Sequence, residues 1–302
     1  MSDQDTSTQL IDRRQLRLLS ERSDRAGLRQ LALHLALLIA TGLLIWQTAG
    51  SWWQVPAMLL HGIVLIFLFM PLHECIHRTA FASRNWNDRV AFAIGCLLIL
   101  PRDYFRFFHF AHHRFTQDPV RDPELASPKP INLQQWLWHV SGLPYWIGQS
   151  RALIAHARGK VDGDFYNNAR QRQEVMREAR LILMIYAGVA LLSVLTRSPF
   201  AFTYWLIPAI LGQPFLRLYL LAEHTLCPLT DDMLANTRTT YTNGLVRFLA
   251  WNMPYHTEHH AYPSVPFHAL PKAHQLIRAQ LQVTAPGYLD VQRQILRSFS
   301  AG

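Results

Sequence analysis

Fifteen histidines occur in this chain of 302 residues, and eight of them fall into three short clusters. His73 and His77 stand in the stretch H-E-C-I-H, His109, His112 and His113 in H-F-A-H-H, and His256, His259 and His260 in H-T-E-H-H. On a helix, residues three or four apart share a face, so each cluster points two or three imidazoles in one direction. Imidazole is a nitrogen ligand suited to iron and zinc. A single HxxxH pair is weak, because paired histidines also occupy solvated or packed helix faces. Two HxxHH clusters together with an HxxxH are a strong signal for metal. With His224 the set reaches nine imidazoles, more than one ion can hold. Two ions with four or five ligands each, and positions left for oxygen, fit that number better. Zinc hydrolases typically use three protein ligands, so the excess favours a redox metal. Thiolate chemistry is not indicated: Cys75, Cys96 and Cys227 include no CxxC pair, which argues against a disulfide framework, an iron–sulfur cluster or a thiolate zinc site.

Such clusters need elements to bring them together. Half of the residues are hydrophobic, yet the formal net charge is +9. The apolar residues gather in long runs and the basic ones fall between them, which points to a bilayer and not to nucleic acid. A hydrocarbon core of about 30 Å needs roughly 20 apolar residues as helix. Four runs are candidates: about Leu31 to Gln47, Val55 to Leu72, Leu181 to Leu195 and Phe200 to Leu221. Gly50-Ser51-Trp52-Trp53 joins the first pair and Thr196-Arg197-Ser198-Pro199 the second, so the pattern is two helical hairpins. Val90 to Leu100 and Leu133 to Ile147 read as re-entrant or interfacial helices. Nearly every Lys and Arg lies in the N-terminal stretch, the middle region or the C-terminal segment, which the positive-inside rule puts on the cytoplasmic side. All three histidine clusters, and His224 at the inner end of the fourth run, then share one layer beside the membrane. Nothing in the spacing of the clusters requires that coincidence.

The three clusters resemble the histidine boxes of the membrane fatty acid desaturase and hydroxylase superfamily, which also includes alkane monooxygenases and carotenoid ketolases. The likeness runs from about Met58 to His274. Phe115-Thr116, Asp118-Pro119 and Asp122-Pro123-Glu124 after the second box, and Pro254-Tyr255 before the third, are similar to the same superfamily. The resemblance implies two non-haem irons, held by His73, His77, His109, His112, His113, His256, His259 and His260, with His224 as the extra ligand from a helix end. It further implies oxygen as co-substrate and attack on an unactivated C–H bond. Loss of a second hydrogen gives a double bond and insertion of oxygen gives an alcohol, so the boxes do not separate the two outcomes.

Ligating imidazoles commonly donate their other N–H to a carboxylate. Glu74, Asp118, Asp122, Glu223 and Glu258 are candidates for that task, the alternative for each being a solvated acid or a helix cap. Arg217 lies inside the fourth run, two turns before His224, where a charge is functional by default. It could pair with Glu223 or with a polar substrate group, or snorkel to the interface. His61, in mid-span, could line a substrate tunnel; the alternative is a packed neutral histidine.

The expected fold is therefore an all-α membrane protein with about four transmembrane helices in two hairpins and a cytoplasmic helical cap holding a histidine-rich di-metal site. Residues 1–29 are expected as a cytoplasmic tail, 30–280 as the desaturase-like membrane domain and 281–302 as a C-terminal tail. The expected activity is fatty acyl desaturation by a multi-pass protein of the bacterial inner membrane, with both termini cytoplasmic. The alternatives are a hydroxylase or oxygenase of a hydrocarbon or other lipid-soluble compound, and a membrane zinc hydrolase. The sequence shows no CxxCH haem attachment and no GxGxxG fingerprint, so electrons must come from a separate ferredoxin-like carrier and its reductase.

Overall fold

A computed structural model describes residues 10–166 and 168–300; the first nine residues of the expected N-terminal tail lie outside it. Two long apolar helices pair twice. The short α1 (Arg13–Leu19) precedes α2 (Asp24–Gln47), which turns at Trp52-Trp53 into α3 (Gln54–Ile66) and α4 (Phe69–His77). Next come α5 (Arg84–Leu98), α6 (Arg102–Phe115), α7 (Leu133–Val140) and α8 (Leu143–Ala157). α9 (Ala169–Leu195) pairs with a π-turn at Phe202–Leu206 that runs into α10 (Ile207–His224). Five short helices close the chain: α11 (Met233–Asn236), α12 (Gly244–Leu249), α13 (His256–Ala261), α14 (Leu270–Ile277) and α15 (Tyr288–Ser298). A two-residue parallel bridge joins β1 (Thr239–Thr240) to β2 (Thr284–Ala285).

Among the described residues, four segments are long and apolar enough to cross a membrane: Asp24–Gln47, Gln54–His77, Ala169–Leu195 and Phe202–His224. The second is the central one, 67% buried by its neighbours, whereas α2 and α9 leave Ile39, Leu43, Leu191 and Leu195 more than half exposed, the faces a lipid phase covers. Trp52 and Trp53 stack at 3.7 Å in the turn between α2 and α3, where amphipathic rings suit the boundary with water. The central segment packs on α10 through Gly62 and Gly212. A Cβ on either glycine would collide with the facing backbone, so the two helices touch main chain to main chain.

Prolines break this core locally, and two histidines repair it. Pro71 cannot donate to Phe67 O, and α3 and α4 meet there in a tight turn in which Leu68 N bonds to Leu65 O instead of Val64 O. His34 Nε2 donates to the freed Val64 O at 2.9 Å while Trp251 Nε1 donates to His34 Nδ1 at 3.3 Å. Pro208 likewise leaves Tyr204 O without its helical donor, and His61 Nε2 supplies one at 3.1 Å, its Nδ1 accepting from Thr41 Oγ1 at 2.8 Å. His61 therefore bolts three spans together. Its place among the spans is that of a packed histidine, and it does not line the cavity described below.

The cap differs from expectation in three places. α5 begins at Arg84 and not near residue 90, because Ser83 Oγ caps Trp86 N. The expected single helix over 133–147 is two, since Gly142 takes φ 74° and packs on Gln213, and Pro144 then starts α8. The described ends are not loose tails: Ile11 is fully buried with its N–H on Tyr262 Oη at 3.2 Å, and α15 buries Val291 and Ile295 beside α10.

Candidate metal centre

α4 brings His73 and His77, α6 brings His109, His112 and His113, α10 ends on His224, and α13 carries His256, His259 and His260. All nine meet at one end of the bundle. His73, His77, His109, His113 and His259 each place a ring nitrogen within 4.8 Å of the others, and His112, His224 and His260 form a second such group. His256 joins the second through Nε2, which lies 3.2 Å from His224 Nε2.

The division follows from helix geometry. Adjacent helical residues point about 100° apart, so a His-His pair serves two directions. The rings of His112 and His113 cross at 79°, and those of His259 and His260 at 88°. In the second box the i and i+4 residues, His109 and His113, enter the five-histidine group and His112 the other. The third box is its reciprocal: His256 and His260 turn to the second group and His259 to the first. Each HxxHH thus ties both groups together.

The polar surroundings fix how the second group's rings are protonated. His112 Nδ1 donates to Asp122 Oδ1 at 3.0 Å, His224 Nδ1 to Asn236 O at 3.2 Å and His260 Nδ1 to Thr116 Oγ1 at 3.1 Å, while His256 Nδ1 faces Glu223 Oε1 at 3.4 Å. Hydrogens are thereby assigned from partners, and Nε2 of each ring is left with its lone pair. Those lone pairs face one another, His224 Nε2 standing 3.2 Å from the Nε2 atoms of both His112 and His256. In the first group His113 Nε2 is 2.9 Å from His109 Nε2 and 3.2 Å from His259 Nε2. Among the described residues, both nitrogens of His73 and Nε2 of His77 and His260 are buried without a hydrogen-bond partner. Converging lone pairs repel unless a cation lies between them. Metal–nitrogen arms of about 2.1 Å at tetrahedral or octahedral angles set neighbouring nitrogens about 3.0–3.4 Å apart. The donor set fits metal ions.

Burial, followed by the mutual repulsion of the rings, holds the pKa values of His109, His113, His256, His259 and His260 well below the ordinary histidine value, which keeps them neutral and ligand-competent. His112 goes the other way. Burial opposes its charge, but Glu124 and Asp122 outweigh burial and raise it.

The remaining expected residues divide. Asp122 and Glu223 stand against imidazoles of the second group. Glu74 instead accepts from Thr79 Oγ1 at 2.8 Å and Phe267 N at 3.2 Å, tying the first box to the loop after the third. Glu258 points away from the centre, to Thr239 Oγ1 and His274 Nδ1, both at 2.5 Å. Asp118 touches no histidine: Gln117 takes φ 65° and turns the chain out of α6, so that Asp118 accepts from Val120 N and Arg121 N and pairs with Arg121. Arg217 has no carboxylate within 4.0 Å among the described residues; its guanidinium lies 4.6 Å above the Tyr145 ring. Sequence reasoning missed Thr116 and His274 as partners and left open whether Asn236 bonds a ligand or shapes a loop. The contacts of Thr116, Asn236 and His274 span 12 to 144 positions, which spacing along one helix does not reveal.

A cavity of about 410 Å³ lies against the centre, its wall including His73, His109 and His256 together with Phe69, Phe105 and Phe108. The three phenylalanine rings give that wall an apolar face beside the imidazoles.

Comparisons with known proteins agree with this arrangement. A fatty acid desaturase family model matches residues 50–291. Dihydrorhizobitoxine desaturase of Bradyrhizobium elkanii is 26% identical over 255 residues, covering 80% of this chain and 71% of that protein. An sn-1 oleoyl-lipid 12-desaturase of a Picosynechococcus strain is 24% identical, with 74% and 69% covered. The human sphingolipid delta(4)-desaturase/C4-monooxygenase is 24% identical, with 85% and 74% covered. With most of its length matched and its histidines gathered at the end of four membrane-length helices, the chain belongs to the fatty acid desaturase family and is an integral membrane oxidoreductase.

Proposed function

We propose that the protein holds one iron ion in each histidine group and uses molecular oxygen to desaturate an acyl chain. The observation that carries this reading is the sorting of nine imidazoles into two adjoining groups whose lone pairs face inward. Bound there, an iron pair supplies oxygen activation, with electrons delivered from outside the chain. The protein's own part is positional. Asp122, Asn236 O and Thr116 fix the orientation and tautomer of His112, His224 and His260. Phe69, Phe105 and Phe108 form a water-poor wall along which an alkyl segment lies beside the rings. Precise placement matters because removal of one hydrogen is common to desaturation and hydroxylation, and the position of the neighbouring C–H decides whether a second follows.

Hydroxylation is the second reading, favoured by the human relative whose name joins a desaturase and a C4-monooxygenase. Incubation of the membrane-embedded protein under labelled oxygen distinguishes the two. Desaturation leaves new double bonds with no label in the lipid, whereas hydroxylation places labelled oxygen in the product. A ferredoxin-like carrier with its reductase is the proposed donor. The proposed setting is a bacterial inner membrane with the centre and both termini cytoplasmic, as the basic residues between the apolar runs favour. The hydrolase alternative is set aside, since three ligands suffice for a zinc hydrolase and nine converge here.

A further inference from the structure

The cavity has a polar end that the metal centre does not use. Arg217 lines it, together with Lys129, His139 and Gln149. Arg217 Nε and Gln149 Oε1 are buried and, among the described residues, without a hydrogen-bond partner. The cavity's carboxylates lie nearer to imidazoles than to Arg217: Asp122 accepts from His112 Nδ1 at 3.0 Å, Glu223 stands 3.4 Å from His256 Nδ1 and Glu124 3.7 Å from His112 Nδ1. Lys129 Nζ is also occupied, donating to His224 O at 3.0 Å and Gln117 Oε1 at 3.2 Å. Tyr145 holds the guanidinium by its ring face, at 4.6 Å, and its own hydroxyl is tied to Leu98 O at 2.9 Å. Burial, and then Arg217 itself, lowers the His139 pKa to about 4, so this ring is a neutral neighbour near pH 7. Arg217 is thus a fixed cation with open donors, at a depth where an unpaired charge is costly.

We propose that Arg217 binds an anionic oxygen group of the substrate, a carboxylate or a phosphate, about two helical turns from His224 in the same cavity. This rests on the desaturase reading and names the class of substrate for it. A guanidinium offers only donors, in a planar fork that matches the oxygens of carboxylate and phosphate. Stacking on Tyr145 orients the fork without consuming it. The reacting carbon is then set by its distance from a charged end and not by the length of the hydrocarbon tail.

Binding of octanoate, octyl phosphate and octanol to the iron-loaded protein in phosphatidylcholine nanodiscs, measured by calorimetry, tests this without turnover. At least one anionic probe is expected to bind the wild type more tightly than octanol does. Arg217→Gln is expected to weaken that probe about tenfold or more, with octanol unchanged. Arg217→Lys, which keeps the charge but not the fork, falls between. Preference for octanoate identifies a free acid end, and preference for octyl phosphate a phospholipid or phosphate ester. The proposal is overturned if octanol binds the wild type as well as both anions, or if Arg217→Gln binds the anions undiminished while its iron content matches wild type. Iron content and oxidised lipid, measured on the same samples, report on the desaturase reading separately: a chain that binds the anion through Arg217 but takes up no iron refutes that reading and leaves the anion site standing.

Discussion

At the residue scale, the nine imidazoles are not interchangeable. His77 serves the five-histidine group and His224 the other, so His77→Ala and His224→Ala should each lower the iron content, and each should abolish oxidised product. Elemental analysis of purified protein checks this, and full turnover by either variant refutes the assignment. The outer contacts carry stability as well. Glu258 is fully buried and hydrogen-bonded to His274, so His274→Ala should destabilise by about 1–3 kcal/mol, the cost of leaving a buried acceptor without its donor. A thermal-unfolding midpoint unchanged from wild type contradicts that. The spacing of the boxes made the histidines legible in sequence, because three- and four-residue repeats state which rings share a face. It did not state which of two adjoining groups a ring enters, which depends on how four helices rotate against one another. Asp118 shows the limit of chain proximity: it lies five positions from His113, and one left-handed residue, Gln117, turns it to Arg121.

At the scale of elements, the four membrane-length helices were readable as apolar runs, whereas their ends were not. The first box continues the central helix because His73 and His77 remain in regular helical backbone, and α9 begins at Ala169, a dozen residues before its apolar run. The close approach of α3 and α10 depends on two glycines whose meaning appears only once the helices face each other. Gly62→Val should force the pair apart and lower stability by about 1–3 kcal/mol or more. Thermal unfolding in nanodiscs reads the loss, and a wild-type melting curve would speak against backbone contact at this point. His61 offers a parallel case. His61→Ala should destabilise by about 1–3 kcal/mol by orphaning Tyr204 O, with KM for the lipid unchanged. A raised KM at wild-type stability would restore the tunnel role.

For the whole molecule, the bundle works because two antiparallel hairpins return their histidine-bearing ends to one side, where the cap closes over them. Both described ends of the chain pack at that side, Ile11 under Tyr262 and α15 beside α10. With the proposed orientation, Ser51→Cys and Ser198→Cys, in the two turns at the opposite end, should react with an impermeant thiol reagent added outside intact cells, and Ser298→Cys only after lysis. Labelling of Ser298→Cys in intact cells would contradict the cytoplasmic placement of the centre. The central claim, two ions in one histidine cage, is met most directly by metal analysis of the purified wild-type chain. The account predicts about two irons per chain, one for each nitrogen-rich group. About one zinc per chain with no iron would contradict it.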